Sequence, residues 1–214
     1  MKLTLLYVIP IIIILVLIYG YARYIKSKAI IFQKAEKIAI EHVLWTREFL
    51  LASFYETENL DDCTTRLMKN QEDIGSFIGS YYPVYKDSVT SLFKEHISIA
   101  SQIDSQMKQN SSIDYLQNLQ NVQNLQQKWN SNGDSISDGI RALLGVDISD
   151  HMKEHLKLTT SEIVSIQNGE NSIDIYDDIE ISIIDMFNQI AESICRNNIF
   201  TLVFSPVLPC CRQE

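Results

Sequence analysis

The sequence predicts an all-α protein: an up-and-down helical bundle, four-helix-type with extra short helices, behind an N-terminal transmembrane helix. Three observations carry that prediction. Gly and Pro, which punctuate turns and strands, are sparse: seven and four in 214 residues, with none between Gly20 and Gly75. Apolar residues recur at three- and four-residue spacing along most of the chain, the period of one helix face. Finally, LTLLYVIPIIIILVLIYGYA, residues 3–22, carries no charge and has the roughly 20 residues that a bilayer-spanning helix needs.

Residues 3–22 read as a retained anchor, with the lipid bilayer as partner. Gly20-Tyr21-Ala22 has the small-x-small form of a signal cleavage site, but a cleaved signal has a shorter apolar core. Pro10 is acceptable, because a spanning helix absorbs one kink. Only Lys2 precedes the stretch, whereas Arg23, Lys26, Lys28, Lys34 and Lys37 follow it. The positive-inside rule then puts the rest of the chain on the cytoplasmic side. Tyr19, Tyr21 and Tyr24 supply an aromatic belt at the C-terminal edge. The organisation is therefore an anchor with a basic flank (1–26), a helical bundle (27–200) and an irregular Pro/Cys tail (201–214).

Within 27–200 each element has its own signal. A helix over 27–57 carries the stripe Ile38, His42, Trp45, Phe49 and Ala52, and with no breaker after Gly20 the anchor runs into it as a stalk. A shorter helix covers 60–79, with Asp61 or Asp62 as N-cap. Pro83 suits the first turn of a helix over 83–108, with the stripe Val89, Leu92, Phe93, His96, Ile99 and Ile103. QNSS at 109–112 is a polar loop with a sequon at Asn110, relevant only on a lumenal face. The next helix starts at Ser112 or Asp114 and aligns Leu116, Leu119, Val122, Leu125 and Trp129. SNGD at 131–134 bends or interrupts it, and Gly145 ends it. Ser149 or Asp150 caps a helix that stops at Asn168-Gly169, a good C-cap and turn. The last helix, about 171–199, has the stripe Ile173, Asp177, Glu180, Ile184, Phe187 and Ile194.

The formal charge is −9, and all but one of the 18 Lys and Arg follow residue 22 together with all 27 Asp and Glu. An acidic body of this kind excludes nucleic acid as a partner, because phosphate contacts need clustered cations. Cys63, Cys195, Cys210 and Cys211 show no C-x-x-C spacing, which argues against a zinc ribbon or a dithiol redox motif. Cys210-Cys211 reads as free thiols, with acylation as the alternative. There is no Gly-rich phosphate-cradling loop after a strand and no spacing of Ser, Thr and His that suggests nucleophilic catalysis.

The candidate site comes from the histidines. Three of four occur as Glu-His within apolar runs: Glu41-His42, Glu95-His96 and Glu154-His155. Each His lies on its helix stripe, and the preceding Glu is turned by about 100° toward the flank. Asp177 and Glu180 have the i, i+3 spacing that aims two ligands into a bundle core. His155 and Glu180 are nearly equidistant from the turn at Asn168-Gly169, so at about 1.5 Å per residue they share a height to within roughly 3 Å. Three readings stand: a metal held by these side chains, a metal-free buried polar network, or unrelated positions. Burying Asp177 and Glu180 without a partner is costly. A divalent transition metal (Zn, Fe or Mn) ligated by His42, His96, His155, Asp177 and Glu180 meets that cost. Arg47 is a candidate partner for an acidic residue, Trp45 and Trp129 read as core, and His151 as solvated.

The runs EHVLWTR, RLMKNQEDIGSFIGSYY, LFKEHISIA, KWNSNGDSI, HMKEHLKLTTSE and YDDIE, in this order over about residues 38–190, resemble a family of small bacterial helical proteins carried under the label acetylglutamate kinase. The resemblance singles out His42, His96, His155, Trp45 and Asp177, together with Asn70, Gln71, Asp73, Trp129 and Asn132. Many members place a further His near position 180, where this chain has Glu180. The function expected from all of this is a single-pass membrane protein whose bundle binds a metal. The alternative is a structural or adaptor membrane protein whose polar cluster specifies packing, with an Ile- and Asn-rich composition that fits a large DNA virus as source.

Overall fold

A computed structural model describes residues 2–108 and 115–204, with side chains for 7–108 and 117–204. The elements are α1 (Lys2–Phe54), α2 (Leu60–Gly79), a single 3-10 turn (Pro83–Tyr85), α3 (Lys86–Lys108), α4 (Tyr115–Leu144), α5 (Ser149–Gln167), α6 (Ile173–Asn197) and α7 (Ile199–Phe204). No strand occurs among the described residues, so the protein is all-α.

Each helix from α1 to α6 packs on the next in sequence, and α6 returns to pack on α1. Six helices therefore close a ring, in place of the expected four-helix-type arrangement. Short connections force neighbours to run antiparallel, and each helix offers the ring one buried stripe. On α1 that stripe runs Ile31, Ala35, Ile38, His42, Phe49 and Ala52; on α3 it is Val89, Phe93, His96, Ile99 and Ile103. Chain reversals use the backbone freedom of glycine where α4 and α5 end: Gly145 has φ 71° and Gly169 φ 70°, the left-handed region that ends helices cheaply only for Gly.

Three expectations need correction. The SNGD segment does not interrupt α4, which runs unbroken from Tyr115 to Leu144. Asn132 and Gly133 are buried within it, and Gly133 is small because a Cβ there would stand 3.0 Å from Met152 Cγ on α5. On α6 the buried stripe is Ile179, Ile183, Met186, Phe187, Ile190 and Ile194. It is rotated from the expected one, and Ile173 and Asp177 are exposed. Lastly, residues 201–204 are helical, part of α7. Asn110 and Cys210-Cys211 lie outside the described residues.

α1 is one helix of 53 residues. Its N-terminal part is long and apolar enough to cross a membrane, and every side chain from Tyr7 to Tyr19 is exposed. Burial against the bundle begins at Gly20 and Ser27. At that end Ser27 Oγ donates to Leu202 O (3.3 Å), Asn198 Nδ2 donates to Tyr82 Oη (3.1 Å), and Ser193 Oγ donates to Leu144 O (2.6 Å). The α2–α3 and α4–α5 connections and α7 thus share the end of the bundle where α1 enters.

Candidate functional site

The three stripe histidines meet. His155 on α5 lies between the other two, with ring centroids 5.6 Å from His42 on α1 and 5.7 Å from His96 on α3. All three are buried, at 4, 2 and 3 % exposure for His42, His96 and His155. Their Glu neighbours point away, as the spacing requires. Glu41 pairs with Arg66 (2.9 Å), Glu95 with Lys128 (3.9 Å) and Glu154 with Lys157 (3.1 Å).

Buried amides orient two of the rings. Asn70 Nδ2 donates to Ile38 O (3.1 Å), which fixes the amide and turns Oδ1 toward His42 Nδ1 at 3.2 Å. Asn132 Nδ2 likewise donates to Leu92 O (3.2 Å), and its Oδ1 stands 2.9 Å from His96 Nδ1. An amide oxygen only accepts, so His96 carries its proton on Nδ1, and the closer Asn70 contact favours the same for His42, where Gln71 Nε2 also stands 3.5 Å from Nδ1. That leaves the Nε2 lone pairs, for which no hydrogen bond occurs among the described residues. Gln71 Nε2 is held by Leu67 O (2.8 Å) and also reaches Asn70 Oδ1 (3.3 Å), buttressing the first amide. His155 Nδ1 contacts Thr159 Oγ1 at 3.3 Å. Trp129 covers His96 with ring centroids 5.2 Å apart. Two buried polar atoms of this layer, Trp129 Nε1 and Gln71 Oε1, lack a hydrogen-bond partner.

Burial sets the protonation state. It pushes His42 down to about 4, against the upward pull of its Asn70 hydrogen bond. His96 is pushed down to about 3, by burial first and then by His42, again against its amide partner. His155 lies well below the ordinary imidazole range through burial, with His42 and His96 adding to the effect. Charging any of the three means placing a cation in a buried site.

Asp177 and Glu180 do not join the histidines. Asp177 is exposed and Glu180 half-buried. Their height on α6 is compatible with the layer, but their azimuth is wrong. Taking Ile183 as the centre of the buried stripe, Glu180 lies about 60° and Asp177 about 120° away at 100° per residue. Burial of these two carboxylates therefore cannot call for a cation, because neither is buried. Both instead surround Tyr176, raising its hydroxyl pKa behind the larger effect of burial. Among the described residues, no three His, Cys, Asp or Glu side chains stand in a ready coordination arrangement.

Other candidates are placed as follows. Of the positions marked by the family resemblance, Asn70, Gln71, Trp129 and Asn132 line the histidines, whereas Asp73 pairs with Lys69 on the surface of α2. Trp45 is half-buried under the Arg66 guanidinium at 5.4 Å, within the roughly 6 Å reach of a cation–π contact. Arg47 does find an acidic partner. Its Nη1 bonds Glu162 Oε1 and donates to Ser172 Oγ at 2.9 Å, and its guanidinium lies 5.3 Å from the Tyr176 ring centre. Thr159 carried no signal in the sequence beyond its i+4 spacing from His155. No family model, curated protein or solved structure matches the chain.

Proposed function

We propose that this is a membrane-anchored helical bundle that binds a divalent transition metal through His42, His96 and His155. The observation that carries the reading is the pair of fixed tautomers. Asn70 and Asn132 hold Nδ1–H of His42 and His96, leaving both Nε2 lone pairs unengaged on rings that adjoin His155. Metal-ligating histidines characteristically donate their other N–H to such an outer partner, which sets the tautomer and raises ligand basicity. A set of neutral imidazoles without carboxylates favours zinc over manganese, and iron stands between them. With three protein ligands the fourth position of a tetrahedral ion stays open for water or substrate. When bound, such an ion supplies Lewis acidity; the chain's own contribution is to orient the rings and exclude bulk water. The family resemblance supports the reading, since four of its marked positions surround these rings. Residues 3–22 anchor the chain in the bilayer, and the cations from Arg23 to Lys37 favour a cytoplasmic bundle.

Elemental analysis of the purified full-length chain in detergent is the test. One metal per chain, lost in His96→Gln, is the expected result. A wild-type chain without metal, whose unfolding is unchanged by a chelator, would sink the metal reading. It would favour a second one, that the polar layer specifies which helices pack together. In support of that alternative, the amides are anchored on backbone carbonyls without help from any ion, and no ready coordination arrangement exists among the described residues.

A further inference from the structure

Outside residues 7–25, apolar side chains such as Tyr55 and Ile181 are exposed singly elsewhere, and three of the most exposed lie together where α1 enters the bundle. Phe200 and Phe204 on α7 are 75 and 61 % exposed, and Val84 on the neighbouring 3-10 turn is 89 % exposed. α7 is not a loose end. Leu202 is fully buried, Ser27 Oγ bonds its carbonyl, and Asn198 ties the start of α7 to Tyr82. A Cβ added at Gly20 would lie 3.1 Å from Val203 Cγ1, so α7 lies against α1 at the height of Gly20.

That height is significant. Gly20 is two residues from Ala22, the last residue of the uncharged stretch, which is about 3 Å of helix rise. α7 (IFTLVF) carries no charge. With Leu202 facing α1, it turns Phe200 and Phe204 outward one turn apart, their ring centroids 4.8 Å from each other. Aromatic side chains are enriched where hydrocarbon meets water, and a helix with one apolar face lies stably in that layer. We infer that α7 is a second membrane contact. It seats the bundle directly on the bilayer surface, with Phe200 and Phe204 in the interfacial layer, so α1 is not a free stalk. The inference rests on residues 3–22 spanning the bilayer.

Single tryptophan probes in the full chain, reconstituted into phosphatidylcholine vesicles with bromines either near the headgroup or at mid-chain, test it. The variants are Ile13→Trp, Phe200→Trp, Phe204→Trp and Tyr55→Trp, all at exposed positions, with the wild-type emission of Trp45 and Trp129 subtracted. Expected are loss of most of the Ile13→Trp emission with mid-chain bromines, and loss of most of the Phe200→Trp and Phe204→Trp emission with headgroup-proximal bromines. Tyr55→Trp, at the far end of the bundle, keeps its emission. Quenching at residue 13 but not at 200 or 204 overturns the seating and leaves the anchor standing. Equal quenching at residue 55 also overturns the seating. Absence of quenching at residue 13 overturns the spanning reading and the seating with it.

Discussion

Burial of His42 and His96 outweighs the opposing hydrogen bond that each gives to an amide oxygen, and this makes their folded state sensitive to acid. Their folded values, about 4 and about 3, lie below the ordinary 6.5. Between those limits the unfolded chain binds more protons than the folded one, so stability is level above pH 6.5 and falls as the pH drops. Each histidine contributes about 1.4 kcal/mol per pH unit over that window. Urea unfolding in chelator at pH 7.5 and pH 5 is expected to show that loss, and His96→Gln to reduce its slope. That each of the three histidines faces the core was legible in its position on a helical stripe, whereas their meeting was one of three open readings. The outward turn of Glu41, Glu95 and Glu154 was legible for the same reason. The failure of Asp177 and Glu180 was not, because α6 has isoleucine on nearly every side. Ile173 and Ile181 are exposed while Ile179 and Ile183 are buried, so residue type alone does not choose the core face.

Among the helices, backbone spacing is set at a few positions without a side chain. A Cβ at Gly75 would lie 1.8 Å from Thr90 Oγ1 and 3.0 Å from Lys86 O. α2 and α3 therefore approach too closely for alanine, and Gly75→Ala is expected to destabilise by about 1–3 kcal/mol through overpacking. Gly139 is the opposite case. It lies within α4, exposed, with nothing near a Cβ, and Gly139→Ala is expected to stabilise by about 0.5–1 kcal/mol through helix propensity. Urea midpoints of the two variants check both signs. Gly and Asn at 131–134 resembled a break because both are poor helix formers. Tertiary burial of Asn132 and Gly133 overrides that local preference, and Asn132 is spent on orienting a histidine.

For the molecule as a whole, the decisive contact is the closure of the ring, α6 against α1. Short connections made neighbouring pairs readable in advance, but nothing local in a sequence states how many helices intervene before the chain meets its own beginning. Near that closure Arg47 of α1 bonds Glu162 of α5 and Ser172 at the entry to α6. The two partners are unequally buried, with side chains 19 and 2 % exposed for Arg47 and Glu162. Burial raises the Glu162 pKa, and Arg47 opposes that rise. Arg47→Leu leaves a carboxylate stranded in the interior and is expected to cost about 3–5 kcal/mol. Glu162→Leu leaves a guanidinium that reaches solvent and is expected to cost less. Thermal midpoints of the two single variants and of the double variant measure the difference, with the double variant recovering part of the Arg47→Leu loss. The continuity of α1 has a mechanical corollary. Roughly 33 Å of helix axis separates Gly20 from His42, and no Gly or Pro lies between them. Such a rod has no joint, so a tilt imposed on its exposed apolar end is carried through to the part that holds His42.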